Sequence, residues 1–399
     1  MALSPFKHLG TYKSFEEFDL FVVSNLCSLS PTEDFMISSK NLVLSLSLVL
    51  SAPSFAQTTL KESIQSYSEH VHSSYAETLR RGVLLQKALY AFTETPSLMT
   101  QTVAKETWKY AREAYGQTEV FRFYNGPIDR DGGPEGLLNS WPLDEAYIDY
   151  VKGAPNAGII NNTSEFPEIT KELLESLNEL DGEKNISTGY HAIEFLLWGQ
   201  DFYTDGPGQR SYTDYVDAPN AARRAVYLNT IADMLVDHLA SLEEEWRVGE
   251  ENFRKDFESQ KDTVALKNLL SGVIFMAGDE LSGERMYVAY DTQGQEDEHS
   301  CFSDMTHMDI QWNYWGIENV IKATNLLNQP EVKGSAIALR IEERMTSLHS
   351  LLATIPVPFD QAIANDEGRA IILNSVEELE ALARDLATVS KMLKAPVDY

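Results

Sequence analysis

The sequence is short of cysteine, of basic residues and of long apolar runs. Only Cys27 and Cys301 occur in 399 residues. Two thiols make one disulfide at most, so cross-links do not hold this fold together. Lys and Arg number 32 against 61 Asp and Glu, a formal net charge of −29. No cluster of basic side chains stands out. Nucleic-acid binding depends on such clusters, so the composition argues against that partner. No convincing run of alternating polar and apolar residues is found, which argues against strands. What remains is ordinary for a globular protein: 43% hydrophobic and 23% charged residues. The acidity is compatible with drawing cations, although a solvated acidic surface explains most such charge.

The apolar run at 41–51 is too short to cross a bilayer, which takes about 20 residues. It has the parts of an export signal. Lys40 precedes it, Pro53 breaks it, and Ser54 and Ala56 supply the small residues before a cleavage point. A buried core helix is the competing reading. We expect residues 1–35 to be a mis-called N-terminal extension, with translation starting at Met36, and 36–56 to be a signal peptide. Cys27 then goes with the extension, and Cys301 is left without a partner. Residues 1–56 hold three basic and five acidic side chains, so the acidity belongs to the rest of the chain.

That rest carries helical periodicity. Leu228, Ile231, Leu235, Leu239, Leu242 and Trp246 step by three or four. Leu266, Leu270, Val273, Ala277 and Leu281 do the same, as do Ile337, Ile341, Met345, Leu348 and Leu352. A last stripe runs Ile372, Val376, Leu379, Leu382, Leu386, Val389, Leu393. Residues 58–92 and 97–119 are rich in helix formers and are parted by Pro96; Pro167 is expected to open another helix. The fold class expected is all-α, as two helical-bundle domains at 57–210 and 211–399 with the site between them. A short likeness between Ala114–Glu119 and the stretch from Ala289 to Glu296 raises a diverged duplication. Asp129, Arg130, Asp131 and Gly132 lack the later acidic positions of a calcium loop and read as a turn.

Residues 188–200 carry the most chemistry. Thr188 or Ser187 is placed to cap a helix. Ile193, Phe195, Leu196, Leu197 and Trp198 leave that helix little polar surface, so it is expected to be buried. His191 and Glu194, three apart, share a face. A buried carboxylate needs a partner. A metal ion answers that need, since imidazole and carboxylate suit iron or zinc; a hydrogen-bonded core pair answers it equally. Gly189 would admit a close backbone or a ligand. A second stretch, from Gln295 to His307, holds Glu296, Asp297, Glu298, His299, Asp304 and His307 around Cys301. A solvated turn followed by a helix capped at Ser303 or Asp304 is the plainer reading of it. Gly283 and Arg285 follow an apolar helix.

The run Gly189-Tyr190-His191-Ala192-Ile193-Glu194 resembles the Gly-x-His-x-x-Glu signature of the imelysin family. The run from Glu296 to Asp304 is similar to the branch with the iron-regulated proteins and the insulin-cleaving metalloproteases. This resemblance covers most of 57–395. It implies two helical bundles with the motif between them, export to the periplasm or cell envelope, and a link to iron uptake. It also implies a peptidase label. Under it, His191 and Glu194 are the central metal residues, and Glu119 and His307 are weaker metal candidates. Gly189, Arg285, Glu296, Glu298, His299 and Asp304 form the motif surroundings. Iron is the expected cofactor, with zinc as the alternative. The partners expected are a metal ion or an iron-bearing ligand, and a membrane transporter that receives it. A zinc peptidase built on His191 and Glu194 competes, but no His-Glu-x-x-His run supplies a third ligand or a base. A polysaccharide or peptide binder without metal has only the 10% aromatic content behind it. N-terminal sequencing of the secreted protein is expected to begin at about Gln57; a mature N-terminus elsewhere would count against the start at Met36 and the signal peptide.

Overall fold

Helices form where apolar residues recur every three to four positions, and their ends fall on capping residues. The computed structural model describes residues 59–399. The extension at 1–35, the segment at 36–56 and Cys27 lie outside the described residues. Eight α-helices of ten or more residues occur among those described: α1 (Leu60–Glu94), α2 (Leu98–Gly116), α3 (Gly189–Trp198), α4 (Ala221–Trp246), α5 (Asp262–Phe275), α6 (Thr306–Thr324), α7 (Ala336–Leu352) and α8 (Asp366–Met392). Among the described residues there is no strand, only an isolated bridge from Val151 to Ala154. The all-α expectation holds. No described helix is long and apolar enough to cross a membrane.

The ends of α1 and α2 follow local chemistry. Thr59 and Ser97 each accept from a backbone N–H three residues on, and the side chain there answers back, closing a capping box. Pro96 lies in the two-helix turn. The helix expected at Pro167 starts later, at Lys171, because Thr170 caps it by accepting from Leu173 N–H. The expected caps on α3 are also absent. Thr188 Oγ1 donates instead to Leu137 O and Ser187 Oγ to Leu174 O.

α1 and α4 pack antiparallel, and α2 and α3 lie against this pair. Leu239 fits over Gly82, where a β-carbon would come within 2.8 Å of its Cδ1. Trp246 sits 6.0 Å edge-on to Tyr67 at the other end. The stripes on α4 and α8 read from sequence are buried throughout. Burying one such Leu contributes about 1.5–3 kcal/mol. A second group forms from α5, α7 and α8, and α6 touches both groups. A boundary at 210 would part α1 from α4, which pack together. α5 does not stop at Phe275. It continues as a π-helical segment, Met276–Tyr287, and then as Val288–Thr292. Gly283 and Arg285 therefore lie inside a continuous rod and not in a loop after it.

One ion cluster ties the loops of the first group to α4. Arg224 grips Asp149 with two bonds, of 2.6 and 2.9 Å, and Arg210 adds a third of 2.7 Å. Burial opposes ionisation of Asp149, but Arg224 and Arg210 outweigh it and hold the carboxyl down at about 2. Since the folded value lies below the unfolded one, the stabilisation is present above pH 3.8 and is lost as the pH falls through about 2. Asp149→Asn leaves two buried guanidinium groups under-paired and is expected to cost about 3–5 kcal/mol. Thermal denaturation at neutral pH and at pH 2 checks this: the variant should lose much at pH 7 and little near pH 2.

Candidate metal centre

The centre begins with Gly189. Its φ of +86° favours glycine, and a β-carbon there would meet Leu138 O at 2.5 Å. The close approach expected at this position is thus one of backbone. It lets α3 start against the helical turn Glu135–Leu138. Trp108 Nε1 donates to Tyr190 O at 2.9 Å and fixes the first turn from the other side. From there His191 and Glu194 point the same way, and both are buried.

Their arrangement differs from two ligands on one ion. Glu194 Oε2 lies 2.9 Å from His191 Nδ1, the ring nitrogen on the carboxylate side. Glu194 Oε1 accepts from Ser303 N–H at 2.9 Å and from Ser303 Oγ at 2.7 Å. His191 Nε2 points outward and meets His299 Nε2 at 3.1 Å. His299 is itself backed by a carboxylate, with Asp309 Oδ2 2.7 Å from Nδ1. Ser300 Oγ donates to the same Asp309 oxygen at 2.6 Å. The line runs carboxylate, imidazole, imidazole, carboxylate. Glu194 and Asp309 orient the two rings, and the two Nε2 atoms face each other.

A shell of arginines and amides surrounds this line. Arg112 donates to Asp309 and approaches His299 Nδ1 at 3.1 Å. Arg285, from the π-helical segment, pairs with Glu119 and with Glu280 and stands 3.4 Å from His299 Nδ1. Asn139 accepts from Arg112 and donates to Glu119; Asn313 also donates to Glu119, at 3.1 Å. Trp141 packs its ring 4.8 Å from His191 and 6.1 Å from His299. A cleft of about 340 Å³ reaches this group from outside, lined by Trp141, His299, Arg122, Arg285, Glu135 and Glu280 among others.

The electrostatics follow from burial. Burial, the neighbouring imidazole and the arginines push His191 well below the usual histidine range; burial, Arg285 and Arg112 do the same to His299. Burial raises Glu194 to about 8, against the pull of Ser303. Both rings are thus neutral, and one proton at most lies between their Nε2 atoms. A pair of lone pairs at 3.1 Å is repulsive unless a proton or a cation sits between them. The donor set fits a metal. Metal-bound histidines commonly give their second ring nitrogen to a carboxylate, and both rings here do so. The Nε2 separation also suits two nitrogens bound to one ion at about 2.0–2.1 Å.

The structure sorts the candidates read from sequence. His191, Glu194 and His299 come together, and Glu119 and Arg285 join through the shell. Glu119 does not touch either ring. Glu296 is exposed. His307 stays outside the hydrogen-bonded line and faces the backbone of Asp304. Glu298 and Asp304 turn to a different group of carboxylates, with Asp201 and Asp360. Neither Ser303 nor Asp304 caps α6; Asp304 has φ +56° and Met305 precedes the helix. Arg112, Asp309, Asn139, Asn313, Ser303 and Trp141 were missed. Asp309 and Asn313 left a trace, since two polar residues four apart interrupt the apolar face of α6. Cys301 is buried and free, and burial keeps its thiol protonated. Asp129 accepts from Gly126 N–H at 2.7 Å and anchors a turn, as its sequence context suggests.

A family model described as Imelysin matches residues 71–386. The chain belongs to the imelysin family. It is 21% identical over 334 residues to iron-regulated protein A of Synechococcus elongatus, covering 82% of this chain and 84% of the relative. Its fold is similar to the crystal structure of an iron-regulated protein A precursor from Parabacteroides distasonis, with a TM-score of 0.65 and 15% identity. That match covers 86% of this chain and 98% of the other. The matched region holds both His191 and His299.

Proposed function

We propose that this imelysin binds iron, or an anion that carries iron, at His191 and His299, as part of iron uptake in the cell envelope. The observation that carries the reading is the pair of Nε2 atoms 3.1 Å apart, each ring braced from behind by a carboxylate. Imidazole nitrogen suits iron and zinc alike. The iron assignment draws support from the relative named iron-regulated protein A. Arg112 and Arg285 add positive charge and N–H groups beside the pair, which suits an anionic group on the iron. The cleft along Trp141 and Arg285 gives the ligand a way in.

A zinc peptidase at the same place is less well supported. Catalytic zinc takes about three protein ligands and keeps a water position open. Here Glu194 is engaged with Nδ1 of His191 and with Ser303, which leaves two ring nitrogens facing one point. Export is supported by the signal-like segment at 36–56 and by the Parabacteroides relative being named a precursor. Delivery to a membrane transporter is the proposed next step.

Calorimetric titration of metal-free protein with iron tests the reading. We expect one iron per chain and release of protons on binding, because the cation takes the place of a proton between the rings. His191→Ala and His299→Ala should each abolish tight binding. Glu194→Gln keeps the shape but weakens the brace, and is expected to lower affinity by about 10–100-fold. Cleavage of a peptide substrate that disappears in Glu194→Ala would install the peptidase reading instead, as would zinc binding with no response to iron.

A further inference from the structure

The carboxylates that turn away from the histidine pair gather at a second place. Asp201 follows α3, Glu298 and Asp304 lie before α6, and Asp360 sits in the short helix Phe359–Ala364. Carboxylate oxygens of Asp201, Asp304 and Asp360 all lie within 4.8 Å of one another. Glu298 is only 2% exposed and reaches toward Asp360. Its Oε2 accepts from Thr306 Oγ1 at 3.4 Å, but no donor group reaches Oε1 or the buried Oδ2 of Asp360, and the two carboxyls face each other. Lys109, whose charge reaches Asp304, is already paired with Glu106 at 3.1 Å. So three aspartates converge with Glu298 against one of them, two of the four side chains have an oxygen that no donor group reaches, and no ion pair holds them among the described residues.

We propose that Asp201, Asp304 and Asp360, with Glu298 set against Asp360, form a second cation site, distinct from the histidine pair, which takes one hard divalent ion of the calcium type. The donors are all oxygen, which favours a hard cation over zinc or copper. Calcium binds oxygen at about 2.3–2.6 Å, so two ligand oxygens on one ion lie no more than about 5 Å apart. The three aspartates meet that limit. The ligands come from two loops and a short helix, which adapt to the larger and irregular shell of calcium more easily than to the strict octahedron of magnesium. Asp201 is already oriented by its neighbours, since Tyr203 N–H and Gln295 Nε2 donate to it at 2.9 and 2.7 Å. The cluster by itself resists ionisation, as carboxylates crowded without a counter-ion do. Burial first, and then the neighbouring acids, raise Glu298 to about 10 and Asp304 to about 7. An ion here braces the loop that carries His299, which follows Glu298, and Ser303, which precedes Asp304.

This inference does not rest on the iron reading, and calcium chloride alone tests it. Full-length protein stripped with a chelator is titrated with calcium by calorimetry, and its melting temperature is followed in parallel. We expect one calcium per chain and a rise in Tm on the order of 5 °C at about 1 mM calcium. Asp304→Asn and Asp360→Asn should each remove the calcium response while melting no lower than the calcium-free parent, since each relieves crowding of charge. His191→Ala should keep the response. No heat and no shift in the parent protein would mean that the four carboxyls only share protons, and would overturn the proposal. So would an unchanged response in Asp304→Asn and Asp360→Asn, or its loss in His191→Ala.

Discussion

The centre depends on one constraint: each imidazole has two nitrogens, and the protein has committed one of each pair to a carboxylate. Glu194 holds His191 from behind and Asp309 holds His299. With those nitrogens taken, the other two meet at 3.1 Å, with Arg112 Nη2 3.5 Å from the His299 atom. In a buried site that confrontation is unfavourable unless an N–H proton or a cation lies between the rings. A proton or a cation between the rings would satisfy that geometry. The arginines pair with Asp309 and Glu119, and they depress both histidines so that the lone pairs stay available.

Every element near the centre serves that alignment. Gly189 allows α3 to begin where no side chain fits. The π-helical segment between α5 and Val288 changes the pitch of the rod and turns Arg285 inward to Glu119, a use that π turns commonly have at functional sites. Ser300 and Asp304 both adopt positive φ, at 61° and 56°, and so fold the loop tightly enough for Ser303 to reach Glu194 while Ser300 reaches Asp309. Two serines three residues apart thus steady the two carboxylates that steady the two rings.

Local pattern made part of this legible in the sequence. The apolar stripes of α4 and α8 predicted burial correctly because a helix repeats its environment every turn. His191 and Glu194 stood out because charged residues in an almost wholly apolar segment need a reason to be there. His299 stood out for density of ligand-type residues, though nothing in its spacing tied it to His191, 108 positions away. Arg112, Asn139 and Asp309 stayed hidden for the same cause: their roles depend on which helices meet, and α2 and α6 look like other amphipathic helices. His307 and Glu296 show the opposite error. Both belong to the right stretch, but the tight turns at Ser300 and Asp304 send neighbouring side chains in different directions. Membership in a motif did not settle which way a residue faces.

That divergence sorts ligand chemistry along a single loop. Between Glu298 and Asp304 the chain alternates its loyalties: Glu298 outward to Asp360, His299 inward to His191, Ser303 inward to Glu194, Asp304 outward to Asp201. Nitrogen donors gather on one side of the loop and oxygen donors on the other. Soft or borderline metals prefer donors of the first kind and hard ones donors of the second. Because one short segment supplies both, its position cannot change at either place without being felt at the other. The loop is the mechanical link between the buried pair and the acidic group, and its two tight turns keep the two chemistries apart.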